Sequence, residues 1–367
     1  MKTVLVVFGT RPEAIKMCPV VRELKKIGII KTLVCVTGQH REMLDSVLRA
    51  FDVSADFDLS VMREGQTLFD VTAAVMSGMK SILELVKPDT VLVHGDTTTA
   101  FASALAAYYM KIPIGHIEAG LRTYDIRRPF PEEFNRRAIS IVTDYNFAPT
   151  ETARRNLLSE GVRGESIFVT GNTVIDALRT TVNQKFRHSE LDWATDSRLV
   201  LLTAHRRESI GVPMRNMMRA IKRVVEEKRD VKVIYPIHPN PEAQKIAEEE
   251  LSGLERFHLI PPLDVIEFHN FLAAAHLVLT DSGGIQEEAP ALGKPVLVMR
   301  DTTERPEAVD AGCARLVGTE EQGIYESFTL LLNDSRVYSS MASCKNPYGD
   351  GTASVKITEI IKKLICK

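Results

Sequence analysis

Short apolar runs rich in Val, Ile and Leu alternate along the chain with longer stretches in which apolar residues recur every three or four positions. The runs predict strands at 4–8, 33–37, 90–94, 114–118 and 145–148, with a weaker one at 167–170. A second series follows at 199–204, 231–237, 257–260, 277–280 and 295–299. The helical spacing predicts helices that include 12–26, 40–51, 68–87, 98–110, 131–142, 214–227 and 284–292, and an amphipathic last helix over 354–367. Pro12 and Pro131 suit the first turn of their helices, where a missing N–H costs nothing. Unbroken apolar strands separated by helices belong to parallel sheets covered on both faces. The polar stretch 183–197 interrupts the pattern and reads as a crossing between two domains. The fold class is therefore α/β: two doubly wound parallel-sheet domains of about 150–180 residues each, with a cleft between them.

Composition changes this picture little. A chain of 367 residues buries a full core without staples. Lys+Arg is 46 and Asp+Glu 48, so the net charge is 46 − 48 = −2. That gives no broad attraction to nucleic acid or to an anionic membrane, although a local basic pocket stays open. No apolar run approaches the roughly 18 residues that span a bilayer. The apolar start at 2–8 is stopped by Gly9-Thr10-Arg11-Pro12-Glu13, as in a buried strand and unlike a signal peptide. Five scattered cysteines (Cys18, Cys35, Cys313, Cys344, Cys366) without a C-x-x-C pair argue against a disulfide framework and a zinc ribbon. They point to a reduced, cytoplasmic compartment.

In open parallel sheets, ligands bind beyond the carboxyl ends of the strands. The unusual polar clusters of this chain fall there. After the first strand come Gly9, Arg11 and, one turn on, Lys16: a glycine for close backbone approach and cations at a helix start, which suits an anion. A solvated surface turn would look the same. His94-Gly95-Asp96-Thr97-Thr98-Thr99 puts an aspartate at the end of a buried strand, which is costly unless it is bonded or used. As a plain alternative, Asp96 caps the next helix. Glu118 ends the following strand, with Arg122 as a possible ion-pair partner. Glu132 and Glu133 open a helix and complement its dipole, and Glu132 is spaced to pair with Arg136.

In the second series, His205-Arg206-Arg207 ends the first strand and suits a diphosphate. Thr280-Asp281-Ser282-Gly283-Gly284 reads as strand, small-residue turn and helix start, whose N–H groups at Ser282, Gly283 and Gly284 suit phosphate oxygens. Glu288, a turn further, suits a ribose diol. Gly293-Lys294 lacks the preceding glycine of a P-loop, and Ser282 is not in G-x-S-x-G, so neither a kinase nor a serine hydrolase is indicated. His94, Asp96, His116, His205 and His238 show no metal-ligand spacing.

Phe8-Gly9-Thr10-Arg11-Pro12-Glu13, His94-Gly95-Asp96-Thr97-Thr98-Thr99, Glu118-Ala119-Gly120-Leu121-Arg122 and Asp281-Ser282-Gly283-Gly284-Ile285-Gln286-Glu287-Glu288 together resemble the non-hydrolysing UDP-N-acetylglucosamine 2-epimerases of bacteria and archaea. Further matches are Gly171-Asn172-Thr173-Val174-Ile175-Asp176, Arg300-Asp301-Thr302-Thr303-Glu304-Arg305-Pro306-Glu307 and Asn346-Pro347-Tyr348-Gly349-Asp350-Gly351. The resemblance runs from the first strand to the last helix. It implies a GT-B fold: residues 1–172 with the C-terminal helix 353–367 form one Rossmann-like domain, and 173–352 a second that binds UDP. It implies reversible conversion of UDP-N-acetylglucosamine to UDP-N-acetylmannosamine, for cell-surface polysaccharide precursors, by a homodimer without cofactor or metal.

The sugar C2 proton is not adjacent to a carbonyl, and no nicotinamide motif offers an oxidation route. Elimination of UDP across C1–C2 to a bound 2-acetamidoglucal, then re-addition with a proton on the other face, solves the problem and needs two proton-transfer groups. The resemblance implies that Asp96, Glu118 and Glu132 are those carboxylates, leaving open which removes the proton. It places His205 near the diphosphate, Arg11 and Lys16 near sugar and phosphates, and Ser282, Gly283 and Gly284 on the phosphates. Glu288 is implied at the ribose, Arg305 in the UDP pocket and Phe268 beside the uracil. Some members bind a second UDP-N-acetylglucosamine as activator; Gln39, Glu132, Arg206 and His238 match that site. A hydrolysing epimerase, a GT-B glycosyltransferase and a binding-only regulator are the alternative readings.

Overall fold

The two strand series form two separate parallel sheets in a computed structural model. It describes residues 1–38, 41–63, 65–206, 209–237, 240–303 and 305–366. Two compact units result: residues 1–180 with 348–367, and residues 181–347.

The first unit has seven strands: β1 (Lys2–Phe8), β2 (Ile30–Val36), β3 (Phe57–Asp58), β4 (Thr90–His94), β5 (Ile114–Ile117), β6 (Tyr145–Ala148) and β7 (Ile167–Val169). Its helices are α1 (Arg11–Lys25), α2 (Arg41–Ala50), α3 (Leu68–Val86), α4 (Thr98–Tyr109), α5 (Glu132–Val142), α6 (Glu151–Ser159) and α7 (Thr173–Thr181). The strand order is β3-β2-β1-β4-β5-β6-β7, with every pair parallel. The order reverses between β1 and β4, which makes the crevice beyond those two strand ends the natural ligand position. Leu5, Val7, Val91 and Val93 are wholly buried and pack with Val75 and Met79 of α3 and Ala100 and Ala104 of α4.

The second unit has α8 (Ser189–Trp193), β8 (Arg198–Thr203), α9 (Val212–Glu227), β9 (Val231–Pro236), α10 (Pro241–Leu251), β10 (Phe257–Ile260) and α11 (Val265–Ala274). Then follow β11 (Leu277–Thr280), α12 (Ile285–Ala291), β12 (Val296–Val298), α13 (Pro306–Asp310), β13 (Ala314–Leu316), α14 (Glu321–Asn333) and α15 (Ser335–Ala342). Its order, β10-β9-β8-β11-β12-β13, reverses between β8 and β11. The core is Val200, Leu202, Val233 and Leu279 of the sheet against Met217, Ile221 and Val224 of α9 and Phe328 of α14.

The last helix, α16 (Ala353–Ile365), packs on α1 within the first unit. The units divide between 180 and 181 and between 347 and 348, where the resemblance implied 172/173 and 352/353. Asp176 of α7 accepts the N–H groups of Ala353 (3.2 Å) and Ser354 (2.8 Å) and the Ser354 hydroxyl, and the Asn172 N–H donates to the Tyr348 carbonyl at 2.7 Å. These bonds hold α7 and residues 348–352 in the first unit. The stretch 183–197 is likewise not the crossing. It lies in the second unit, where Trp193 stacks on His258 at 3.5 Å and His188 packs edge-on against Phe271.

Cys313 and Cys344 form a disulfide, with Cα atoms 5.4 Å apart, against the expectation of none. The fold brings them together across 31 residues, a proximity that sequence spacing does not encode. Cys18 and Cys35 are free and buried, and Cys366 is free and exposed. Among the described residues, no helix is long and apolar enough to cross a membrane.

Candidate active site

Two clusters form, one at each point of strand-order reversal. In the first unit the turn after β1 is fixed by Glu13. Its Oε2 accepts the N–H groups of Gly9 (2.9 Å) and Thr10 (2.7 Å), and its Oε1 accepts the Thr97 hydroxyl (2.7 Å). One buried carboxylate thus ties the end of β1 to the end of β4. Burial holds the Glu13 carboxyl above its ordinary range despite these bonds. Gly9 has no room for a side chain: a Cβ there would lie 2.1 Å from Thr37 Oγ1 and 2.7 Å from Thr99 Oγ1. Arg11 opens α1, and Lys16 lies one turn further.

Asp96 follows β4 and does not cap the next helix. Thr97 does, accepting the Ala100 N–H at 3.0 Å. Asp96 instead pairs with Arg136 of α5, and its backbone carbonyl accepts from the Asn135 side chain at 2.9 Å. Burial raises the Asp96 pKa, Arg136 pulls it down, and the negative charges of Glu118 and Glu132 push it up again; the net direction is up. Glu118 and Glu132 therefore both act on Asp96. Arg136 also lies 3.4 Å from Glu133, so the Glu132–Arg136 pair does not form. Glu133 is wholly buried and accepts the N–H groups of Thr123 and Tyr124, both at 3.1 Å, holding the loop between β5 and α5.

Glu118 follows β5 with φ +65°, in the left-handed region that a residue with a Cβ seldom adopts. Its partner is not Arg122, which makes a two-pronged contact with Glu160 at 2.7 and 2.8 Å. Glu118 Oε2 is held by Lys16 Nζ and by Asn172 Nδ2 (2.8 Å). His94 Nε2 lies 3.8 Å from the same oxygen, beyond hydrogen-bond range. Burial lowers the pKa of His94 to about 3 and of His116 to about 4, so both rings are neutral at pH 7.

In the second unit Asp281, wholly buried after β11, reaches to the end of β8. Its Oδ2 accepts the N–H groups of His205 and Arg206, both at 2.9 Å, and its Oδ1 lies 3.6 Å from His205 Nδ1. The hydroxyls of Thr203 and Thr280 meet at 2.6 Å and join the same two strand ends. The Ser282 N–H is taken by Thr280 Oγ1 at 2.9 Å, while Gly284 caps α12 without a side-chain bond. Glu288 of α12 lies 3.6 Å from His269 Nε2, and Phe268 is the neighbour of that histidine on α11. Arg305 pairs with the buried Glu287, so its head is held in place beside α12.

In the first unit the contacts thus join Lys16 to Glu118 and set Asp96 within reach of the charges of Glu118 and Glu132, while Arg11 lies at the start of α1. In the second, His205 and Arg206 meet Asp281, next to Ser282, Gly283 and Gly284 in the chain; Glu288 and Arg305 lie on and beside α12, and Phe268 on α11. Gln39 and His238 lie outside the described residues. Sequence reasoning gave no supporting role to Glu13, Asp281 or Glu287, read Glu133 only as complementing the helix dipole, and paired Arg136 with Glu132 instead of Asp96. Asp281 alone carried a signal, an ionisable residue directly after an apolar strand. Among the described residues, no three His, Cys, Asp or Glu side chains are grouped to hold a metal ion.

Two parallel-sheet α/β units, each with charged and polar side chains where its strand order reverses, define a GT-B-like protein. The sequence model of the family described as UDP-N-acetylglucosamine 2-epimerase matches residues 22–362. The chain belongs to the UDP-N-acetylglucosamine 2-epimerase family. It is 55% identical to the UDP-N-acetylglucosamine 2-epimerase of Bacillus subtilis strain 168, over 97% of this chain and 94% of that one. Among solved structures it is similar to the UDP-GlcNAc 2-epimerase of Neisseria meningitidis bound to UDP-GlcNAc, with TM-score 0.91 and 49% identity, covering 98% of this chain and 100% of that one. It is also similar to the Methanocaldococcus jannaschii enzyme in complex with UDP-GlcNAc and UDP, with TM-score 0.82 and 33% identity, covering 99% and 100%.

Proposed function

We propose that this chain interconverts UDP-N-acetylglucosamine and UDP-N-acetylmannosamine without net hydrolysis. The observation that carries the reading is the trio at the first switch point: Asp96 feels the charges of both Glu118 and Glu132. Three carboxylates at one switch point suit one as base and another as acid. In the forward step a carboxylate takes the C2 proton, the electrons of that bond form C1=C2, and the C1–O bond breaks with its pair leaving on UDP. The return step adds UDP and a proton on the opposite face at C2.

The first unit is assigned the sugar, with Lys16 and Arg11 offering positive charge. The second is assigned the UDP half, with His205 and the Ser282–Gly284 turn at the diphosphate, Glu288 at the ribose, Arg305 in the UDP pocket and Phe268 at the base. The UDP-GlcNAc and UDP held by the two structural relatives support this ligand class. The test is product analysis: UDP-N-acetylmannosamine as the product supports the reading, and free N-acetylmannosamine with UDP contradicts it.

Activation by a second UDP-N-acetylglucosamine is part of the proposal, through Glu132 and Arg206 among the described residues. Initial rates from UDP-N-acetylmannosamine should then show a lag that added UDP-N-acetylglucosamine removes; linear rates without it would sink this part. The homodimer is assigned to the adjacent helices α3, α4 and α5, which expose Phe69 (87%), Tyr109 (67%) and Ile141 (85%).

A further inference from the structure

The left-handed backbone of Glu118 gives its side chain no strand-like direction, so its aim depends on the groups that hold it. Among the described residues, two donors meet its Oε2: Lys16 Nζ and Asn172 Nδ2. They differ in kind. A lysine ammonium sits on a flexible stem and follows the charge. Asn172 is short, planar and 3% exposed.

Every other part of Asn172 is pinned. Its Oδ1 accepts the Val174 N–H at 3.1 Å, and its carbonyl accepts the Ile175 N–H at 3.2 Å, both at the start of α7. Its own N–H donates to the Tyr348 carbonyl at 2.7 Å. With Oδ1 committed to Val174, the amide has one orientation, and its NH₂ faces Glu118. The backbone around it is equally constrained. Gly171 (φ +92°) and Gly349 (φ +115°) pass back to back; a Cβ on Gly171 would lie 3.0 Å from the Tyr348 oxygen, and one on Gly349 3.2 Å from Gly171 Cα. The chain leaving the first unit and the chain returning to it thus clamp Asn172 between them.

We propose that Asn172 is a positioning residue for Glu118: its fixed amide sets the plane of that carboxylate for proton transfer at the sugar C2. The inference rests on the epimerase reading above. A misplaced proton-transfer group costs turnover while leaving the binding of UDP largely alone.

The test uses the full chain, UDP-N-acetylglucosamine in deuterated water, and three readouts: steady-state kinetics, deuterium entry at C2 by proton NMR, and thermal melting. Asn172→Ser keeps a hydroxyl acceptor for the Val174 N–H and removes the NH₂ that faces Glu118 without adding a charge. Asn172→Ala removes donor and cap together. Both should lower kcat and the C2 exchange rate by about 10- to 100-fold, with KM and UDP affinity within about twofold of wild type. The Ser variant should melt closer to wild type, so it carries the test if the Ala variant does not fold. Wild-type kcat in the Ser variant, or losses that follow KM and melting temperature in both, would overturn the positioning role while leaving the epimerase reading intact. A wild-type protein that exchanges no C2 proton would overturn both.

Discussion

Asp281 holds the His205 N–H at 2.9 Å from the other side of the second switch point. This single bond, with its twin to Arg206, sets the backbone of the loop that follows β8. Asp281→Ala would leave two N–H groups without their acceptor. A loss of about 2 kcal/mol or more of stability is expected in urea unfolding, with weaker UDP binding by calorimetry. Unchanged UDP affinity would show that the loop does not need this anchor.

Asp96→Asn, Glu118→Gln and Glu132→Gln each remove one ionisable group and keep its shape. Each should lower turnover by about 10²- to 10⁴-fold while UDP binding persists. A variant at wild-type rate would drop its carboxylate from the proton-transfer set.

The buried imidazoles predict a pH dependence of stability. The folded-state pKa is lowered to about 3 for His94 and about 4 for His116, from an ordinary value of 6.5. A lowered folded pKa means that the unfolded chain takes up the proton first. Their contribution is present above about pH 6.5 and is lost as pH falls from there toward the folded values. The melting temperature should fall over that window. His116→Asn should show a shallower fall than wild type in parallel melting curves; equal slopes would remove His116 as a cause.

The attachment of α16 is open to the same kind of test. Asp176→Ala removes the acceptor for Ala353, Ser354 and the Ser354 hydroxyl. A loss of about 2–3 kcal/mol is expected, with faster amide exchange confined first to α16 and α7. Uniform exchange across the first unit would contradict a local anchor.

The central strands were readable from sequence because they are continuously apolar: β1, β4, β5, β8 and β11 lie close to their expected ranges. β3 and β13 were not. They are two and three residues long, partly buried, and pair at one edge only. The site residues were readable where function places a charged side chain just past an apolar run, as at Asp96 and Glu118. The supporting residues were not: Asn172 holds Glu118, Glu133 the loop at Thr123 and Asp281 the loop at His205, through partners 54, 10 and 76 positions away. The division between the units is hard to read from sequence for the same reason. Polarity marked 183–197, whereas hydrogen bonds from Asp176 and Asn172 decide which unit keeps α7.

Phe69→Glu and Ile141→Glu test the assigned dimer surface. Each should shift sedimentation toward the monomer without lowering the melting temperature of the monomeric fraction. A wild-type monomer would remove the surface from the account.

The central claim is proton exchange at C2 with UDP returned to the sugar. Incubation of the protein with UDP-N-acetylglucosamine in deuterated water, followed by proton NMR, tests it most directly. The account predicts UDP-N-acetylmannosamine carrying deuterium at C2, and deuterium appearing in the recovered UDP-N-acetylglucosamine. Free N-acetylmannosamine with UDP as the main products, or a product that keeps its C2 proton, would contradict it.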